Sequence, residues 1–180
     1  MKKLLLIVIL MMPTICDGFT SSSLDTIKAT VRYMSPTLKD KEVKSISKAI
    51  ATNAIKYNID WRIMTSIISQ ESRFRTDPQN CIVKKHCPDL GMAQINYRTW
   101  KEPLNLNRNK LLTDINYNIG TMSKILSQLH SKYGKDKHWF TRYHSFSNDR
   151  RIIYQKHIHR QFMQISSYSH GYSDGNGRRK

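Results

Sequence analysis

The sequence predicts one mainly α-helical domain, and three observations carry that prediction. Through the middle of the chain apolar residues recur at intervals of three and four, the period of a helix with one buried face. Stretches that would read as strands are short, which leaves room for a small β-hairpin at most, near Gly91. A length of 180 residues suffices for a single core plus terminal segments.

At the start, Met1-Lys2-Lys3 precedes nine apolar residues, Leu4 to Met12, and then Pro13. This is the form of a secretory signal peptide, too short to span a membrane as a lasting helix. Cleavage after Gly18 is the first reading, with Cys16 and Gly18 as the small residues of the site. Lipid anchoring at Cys16 is its rival, although the β-branched Ile15 suits it poorly. Residues 1–18 are therefore assigned to export, which places the mature chain in the periplasm or cell envelope. Residues 19–38, Ser/Thr-rich at first and broken at Ser35-Pro36, read as an N-terminal linker.

The domain is expected over residues 39–166. From Lys39 to Tyr57 a helix buries Val43, Ile46, Ile50 and Ala54 and turns lysines outward. Asp60 caps the next helix, which carries Trp61, Met64, Ile67 and Ile68 on one face and runs into Glu71-Ser72-Arg73-Phe74. Asp77-Pro78 stops it, and residues 75–90 read as an irregular loop. A short helix starts at Asn96 and contains Trp100, which is either core or a sugar-stacking platform. Thr113 or Asp114 caps the clearest helix, with Ile115, Ile119, Met122, Ile125, Leu126 and Leu129 on one side and a stop near Gly134. Trp139 to Phe146 forms a short apolar helix. The last helix, Asp149 to Ile165, is expected to bury Ile152, Ile153, Ile158, Phe162 and Ile165, and residues 167–180 to be a disordered basic tail.

Charge narrows the partners. Against 13 acids stand 30 Lys and Arg, a formal +17, so the surface attracts polyanions over a salt-screened range. Cell-wall polymers, anionic membranes and nucleic acid all qualify. Nucleic acid is the lesser reading, because no aromatic-interleaved basic motif accompanies the charge.

Glu71 is the residue on which a chemical reading turns. It sits at the C-terminal end of its helix, where the dipole disfavours negative charge, beside Phe74 and an apolar face. A carboxyl so placed has its pKa raised, as a general acid working near neutrality requires. The bland alternative is a helix-end ion pair with Arg73 or Arg75. Two further pieces come later in the chain. Gly91-Met92-Ala93-Gln94-Ile95-Asn96 offers amides for sugar hydroxyl and acetamido groups and a glycine for close backbone approach. Arg142-Tyr143-His144-Ser145 lies beyond the long helix.

These three pieces together resemble the lytic transglycosylase family, the SLT or goose-type lysozyme-like group, over residues 45 to 160. The resemblance implies a lysozyme-like fold and cleavage of the bond between N-acetylmuramic acid and N-acetylglucosamine in peptidoglycan. A single Glu protonates the glycosidic oxygen, and the muramoyl C6 hydroxyl then closes a 1,6-anhydro product. Glu71 matches that acid/base, Ser72 a neighbour that helps set the site by hydrogen bonding, and Met92, Gln94 and Ile95 positions lining the saccharide groove. Tyr143 matches a tyrosine whose hydroxyl lies near the carboxyl. Ala93 departs from the usual Met. His144-Ser145 replaces the commoner Tyr-Asn ending, a variant found in the branch attached to conjugation and secretion machines. His144 either contacts substrate and titrates near Glu71, or packs locally.

Hydrolysis would need a second carboxylate. Asp77, Asp89, Asp114 and Asp136 are available, each reading more simply as a turn or cap residue. If Cys16 leaves with the signal, Cys81 and Cys87 form an even pair in an exported chain, and a disulfide is preferred to a metal site with His86, which would lack a fourth ligand. No cofactor is called for. An idle glycan-binding module that keeps the fold is the alternative to an enzyme.

Overall fold

The computed structural model describes residues 21–76, 79–80 and 88–173. The signal segment, Cys16, Asp77, and the Cys81–Cys87 pair with His86 lie outside the described residues. Within them the chain forms α1 (Ser21–Met34), α2 (Asp40–Tyr57), α3 (Trp61–Ser72), β1 (Gln79–Asn80), β2 (Asp89–Leu90), β3 (Ile95–Asn96), α4 (Tyr97–Leu104), α5 (Arg108–Thr113), α6 (Ile115–Tyr133), a 3-10 turn (Trp139–Tyr143) and α7 (Asn148–Ser173). The protein is mainly α-helical, with one small antiparallel sheet in the order β1-β2-β3.

Helices α2, α3 and α6 begin and end where local chemistry dictates. Glu42 accepts from the Lys39 N–H at 2.9 Å, and Asn58 closes α2 in the left-handed conformation at φ 52°. Asp60 accepts from the Arg62 N–H at 2.8 Å, and its other oxygen pairs with the Arg62 guanidinium at 2.6 Å. Asp114, not Thr113, caps α6 by accepting from the Tyr117 N–H at 2.9 Å. The apolar faces expected from the spacing are those that bury. Ile46, Ile50, Met64, Ile67, Ile68, Ile119, Met122, Ile125 and Leu126 are fully enclosed. Helix α2 packs on α6 and α1, and α3 packs on α7 and α2.

Three expectations need correction. Residues 19–38 are not all linker, because Leu24, Ile27, Val31 and Met34 recur on one face of α1, and Ile27 and Val31 are wholly buried. Arg32 ties the end of α1 to the next helix through the Leu38 carbonyl and the Asp40 carboxylate. The last helix does not stop at Ile165. It runs on to Ser173 because its distal turns lie against α1, where Tyr168 stacks on Tyr33 with ring centroids 4.3 Å apart. Its buried face is also shifted: Tyr154, Ile158 and Ile165 face inward, whereas Ile152 and Ile153 are 53% and 59% exposed. In the stretch read as an irregular loop, β1 and β2 pair, with Gln79 opposite Leu90 and Asn80 opposite Asp89. The hairpin expected near Gly91 is β2–β3, with Asp89 opposite Asn96. Trp100 is partly buried against the core.

Candidate active site

Glu71 closes the last turn of α3, and the two residues after Ser72 fix it there. Arg73 and Phe74 both take positive φ, 53° and 63°, so the chain leaves the helix sharply, and Phe74 drops into the core with no exposed surface. The Glu71 side chain retains only 15% exposure. Burial disfavours the carboxylate and raises its pKa to about 7. A hydrogen bond from Tyr154 works against the rise, and the nearby charge of Asp89 adds to it. Neither Arg73 nor Arg75 pairs with it; Arg75 donates instead to the Ser72 carbonyl at 3.3 Å.

Tyr154 is the residue that sequence reasoning missed. From the buried face of α7 its hydroxyl donates to Glu71 Oε1 at 2.7 Å. His144 stacks flat on the Tyr154 ring, centroids 4.6 Å apart and planes 4° from parallel, with Nδ1 3.9 Å from the same carboxylate oxygen. Partial burial lowers the His144 pKa, which favours the neutral ring beside Glu71. The only sequence signal for Tyr154 was an aromatic residue one position beyond the Ile152-Ile153 pair that was expected to face inward.

The β2–β3 turn is tied to the site through Tyr143. Gly91 has φ 70°, and Gln94, at φ 49°, donates its backbone N–H and its side-chain amide to the Gly91 carbonyl at 2.9 and 2.8 Å. Buried Asn118 of α6 holds this turn. Its Oδ1 accepts from the Ala93 N–H at 2.8 Å, and its Nδ2 donates to the Leu90 and Leu111 carbonyls at 3.0 and 2.9 Å. Tyr143 holds it from the other side by donating to the Ala93 carbonyl at 2.7 Å. Ala93, fully buried, is thus gripped at both its N–H and its C=O.

Several expected site residues lie elsewhere. Met92 and Ile95, 1% and 0% exposed, point into the core and support the turn from behind; their side chains do not line the Glu71 cleft. Ser72 is buried, and its hydroxyl turns back to the Ile68 carbonyl of its own helix at 3.4 Å, away from the Glu71 carboxylate. The Tyr143 hydroxyl is spent on Ala93. It remains near enough to Glu71 that the carboxylate charge, together with burial, pushes the phenol pKa well up.

One acid joins the site that was read as a turn residue. Asp89, on β2, accepts from Asn96 Nδ2 at 2.9 Å while Asn96 Oδ1 caps α4 by accepting from the Thr99 N–H. Burial raises the Asp89 pKa, and its charge is felt by Glu71, Tyr143 and His144. Period-two placement in a strand puts Asp89 opposite Asn96, an arrangement the residue types alone do not disclose.

A cleft of about 450 Å³ opens over Glu71, lined by Gln70, His144 and Tyr154 and, from α7, by Arg150, Ile153 and His157. It offers a protonatable carboxyl of near-neutral pKa in a desolvated wall, the equipment for proton transfer to and from a bound substrate. Among the described residues no helix is long and apolar enough to cross a membrane.

No curated protein and no solved structure was found to match the chain. A family model does match, described as the transglycosylase SLT domain, over residues 48–175, a span that takes in the Glu71 turn of α3, the sheet and the whole of α7. The chain belongs to the transglycosylase SLT domain family.

Proposed function

We propose that the protein is a peptidoglycan lytic transglycosylase and that Glu71 is its acid/base. The observation that carries this is a carboxyl with a pKa near 7, at the edge of an open cleft, in a chain of this family. Protonated Glu71 gives its proton to the glycosidic oxygen between N-acetylmuramic acid and N-acetylglucosamine, and the C1–O bond breaks. The carboxylate then takes the proton of the muramoyl C6 hydroxyl as that oxygen bonds to C1, leaving a 1,6-anhydro ring and restoring the acid. Tyr154 orients Glu71 and steadies the anion between the two transfers. Gln94, the partly exposed residue of the otherwise buried Gly91–Ile95 turn, is the group of this turn that meets the sugar.

In this reading the protein is exported by residues 1–18 and opens the wall locally for a secretion or conjugation apparatus, a role suggested by the Tyr143-His144-Ser145 ending. The Cys81–Cys87 disulfide would stiffen the segment joining α3 to the sheet. The basic surface favours retention on anionic wall polymers.

A second reading, hydrolysis, gains support from Asp89. Its charge reaches Glu71, and a second carboxylate near the acid is what a water-using mechanism needs. Mass spectrometry of the soluble products from purified peptidoglycan separates the two. Anhydromuropeptides from wild type and none from Glu71→Gln support the transglycosylase; reducing ends, lost in Asp89→Asn, support the hydrolase. Binding without products from either protein would leave the idle-module reading.

A further inference from the structure

The cleft over Glu71 contains more than the acid/base chemistry uses. Arg150, Ile153 and His157 stand at i, i+3 and i+7 on α7, one helix face, in line with Tyr154 and open to the same cavity. All three are exposed. Among the described residues Arg150 has no hydrogen bond or ion pair, while its neighbours are both engaged: Arg151 meets Asp136 at 2.7 Å and Arg142 meets it at 3.6 Å. Arg150 also sits in the first turn of α7, where the helix dipole disfavours a cation. Its charge lowers the His144 pKa, which places the guanidinium close to the site. Ile153 beside it leaves 59% of its surface in water, an apolar contact without a protein partner on the cleft wall.

We propose that Arg150, Ile153 and His157 form a subsite for the carboxylate-bearing peptide substituent of the glycan strand, beside the bond that Glu71 attacks. This rests on the reading of peptidoglycan as substrate. Neutral sugar hydroxyls and acetamido groups are served by amides and backbone groups, whereas a guanidinium fork matches a carboxylate in two parallel hydrogen bonds. Peptide stems and the lactyl ether of muramic acid supply both a carboxylate and methyl groups of the size that Ile153 accommodates. His157 extends the polar edge one turn further along the stem.

The test measures binding by calorimetry to Glu71→Gln, which holds substrate without consuming it. The probes are glycan oligomers with intact stems and the same oligomers with their stem carboxylates amidated. The subsite predicts at least tenfold weaker binding of the amidated oligomers. Adding Arg150→Gln should bring the affinity for intact oligomers down to the amidated level; the residue is exposed, so folding is not at stake. Equal affinity for the two oligomers, discrimination that survives Arg150→Gln, or no binding at all would each overturn the subsite. If wild type released nothing from whole peptidoglycan while the discrimination held, catalysis by this protein would be refuted and the subsite would stand.

Discussion

Replacing Glu71 by Gln should make the protein more stable above pH 7 and leave it unchanged below pH 4. The acid is held in a desolvated wall with 15% of its side chain exposed, and its pKa moves from 4.5 to about 7 on folding. Below the unfolded value both states carry the proton and the shift costs nothing. As pH rises from there, the unfolded chain ionises first, so stability falls until the folded carboxyl ionises too, and above about 7 the full cost is present. At about 1.4 kcal/mol per unit the cost is about 3 kcal/mol, which solvent access to the exposed edge trims to about 2–3 kcal/mol. Glutamine keeps the oxygen that accepts from Tyr154 but cannot ionise, so the variant escapes the cost. Thermal unfolding of both proteins should give equal midpoints at pH 4 and a midpoint about 5–10 °C higher for Glu71→Gln at pH 8. A difference that stayed flat with pH would refute the desolvation of Glu71. A wild type that was the more stable at pH 8 would mean that the carboxylate has a stabilising partner there.

Other substitutions probe the elements that build the site. Tyr154→Phe removes the hydrogen bond that opposes the rise in the Glu71 pKa, so the alkaline limb of the rate profile should move to higher pH; an unmoved limb would mean that Tyr154 does not act on the carboxyl. Asn118→Ala strands the Ala93 N–H and the Leu90 and Leu111 carbonyls in the interior, and urea denaturation should show a loss of about 3 kcal/mol or more. Gly91→Ala places a Cβ against Asn118 Nδ2 and the Leu111 carbonyl at φ 70°, and the same assay should show a loss of about 2–5 kcal/mol.

The sequence by itself determined the helices that bury a face against the central core. Val43 to Ala54, Met64 to Ile68 and Ile119 to Leu129 carry a strong apolar period, and Asp60 and Asp114 announce where two of those helices begin. It also pointed to a raised pKa at Glu71, because a carboxyl at the C-terminal end of an apolar helix opposes both dipole and solvation. What it missed has a common cause. Helix α1 and the distal turns of α7 are Ser/Thr-rich or polar, and they are held by packing on each other and, for α1, on α2, so neither looks stable when read alone. The same holds at the site. Tyr154 reaches Glu71 from 83 positions away, Asn118 reaches Ala93 from 25, and Asp89, paired with Asn96 by strand register, lies near enough for its charge to be felt at Glu71. Met92 and Ile95 were read as groove residues and are core, because the turn packs its apolar side chains into the interior. Local period and helix-end chemistry are properties of neighbours along the chain. Which hydroxyl meets the acid, and which cation is left unpaired beside it among the described residues, depends on elements distant in sequence, and only their packing decided it.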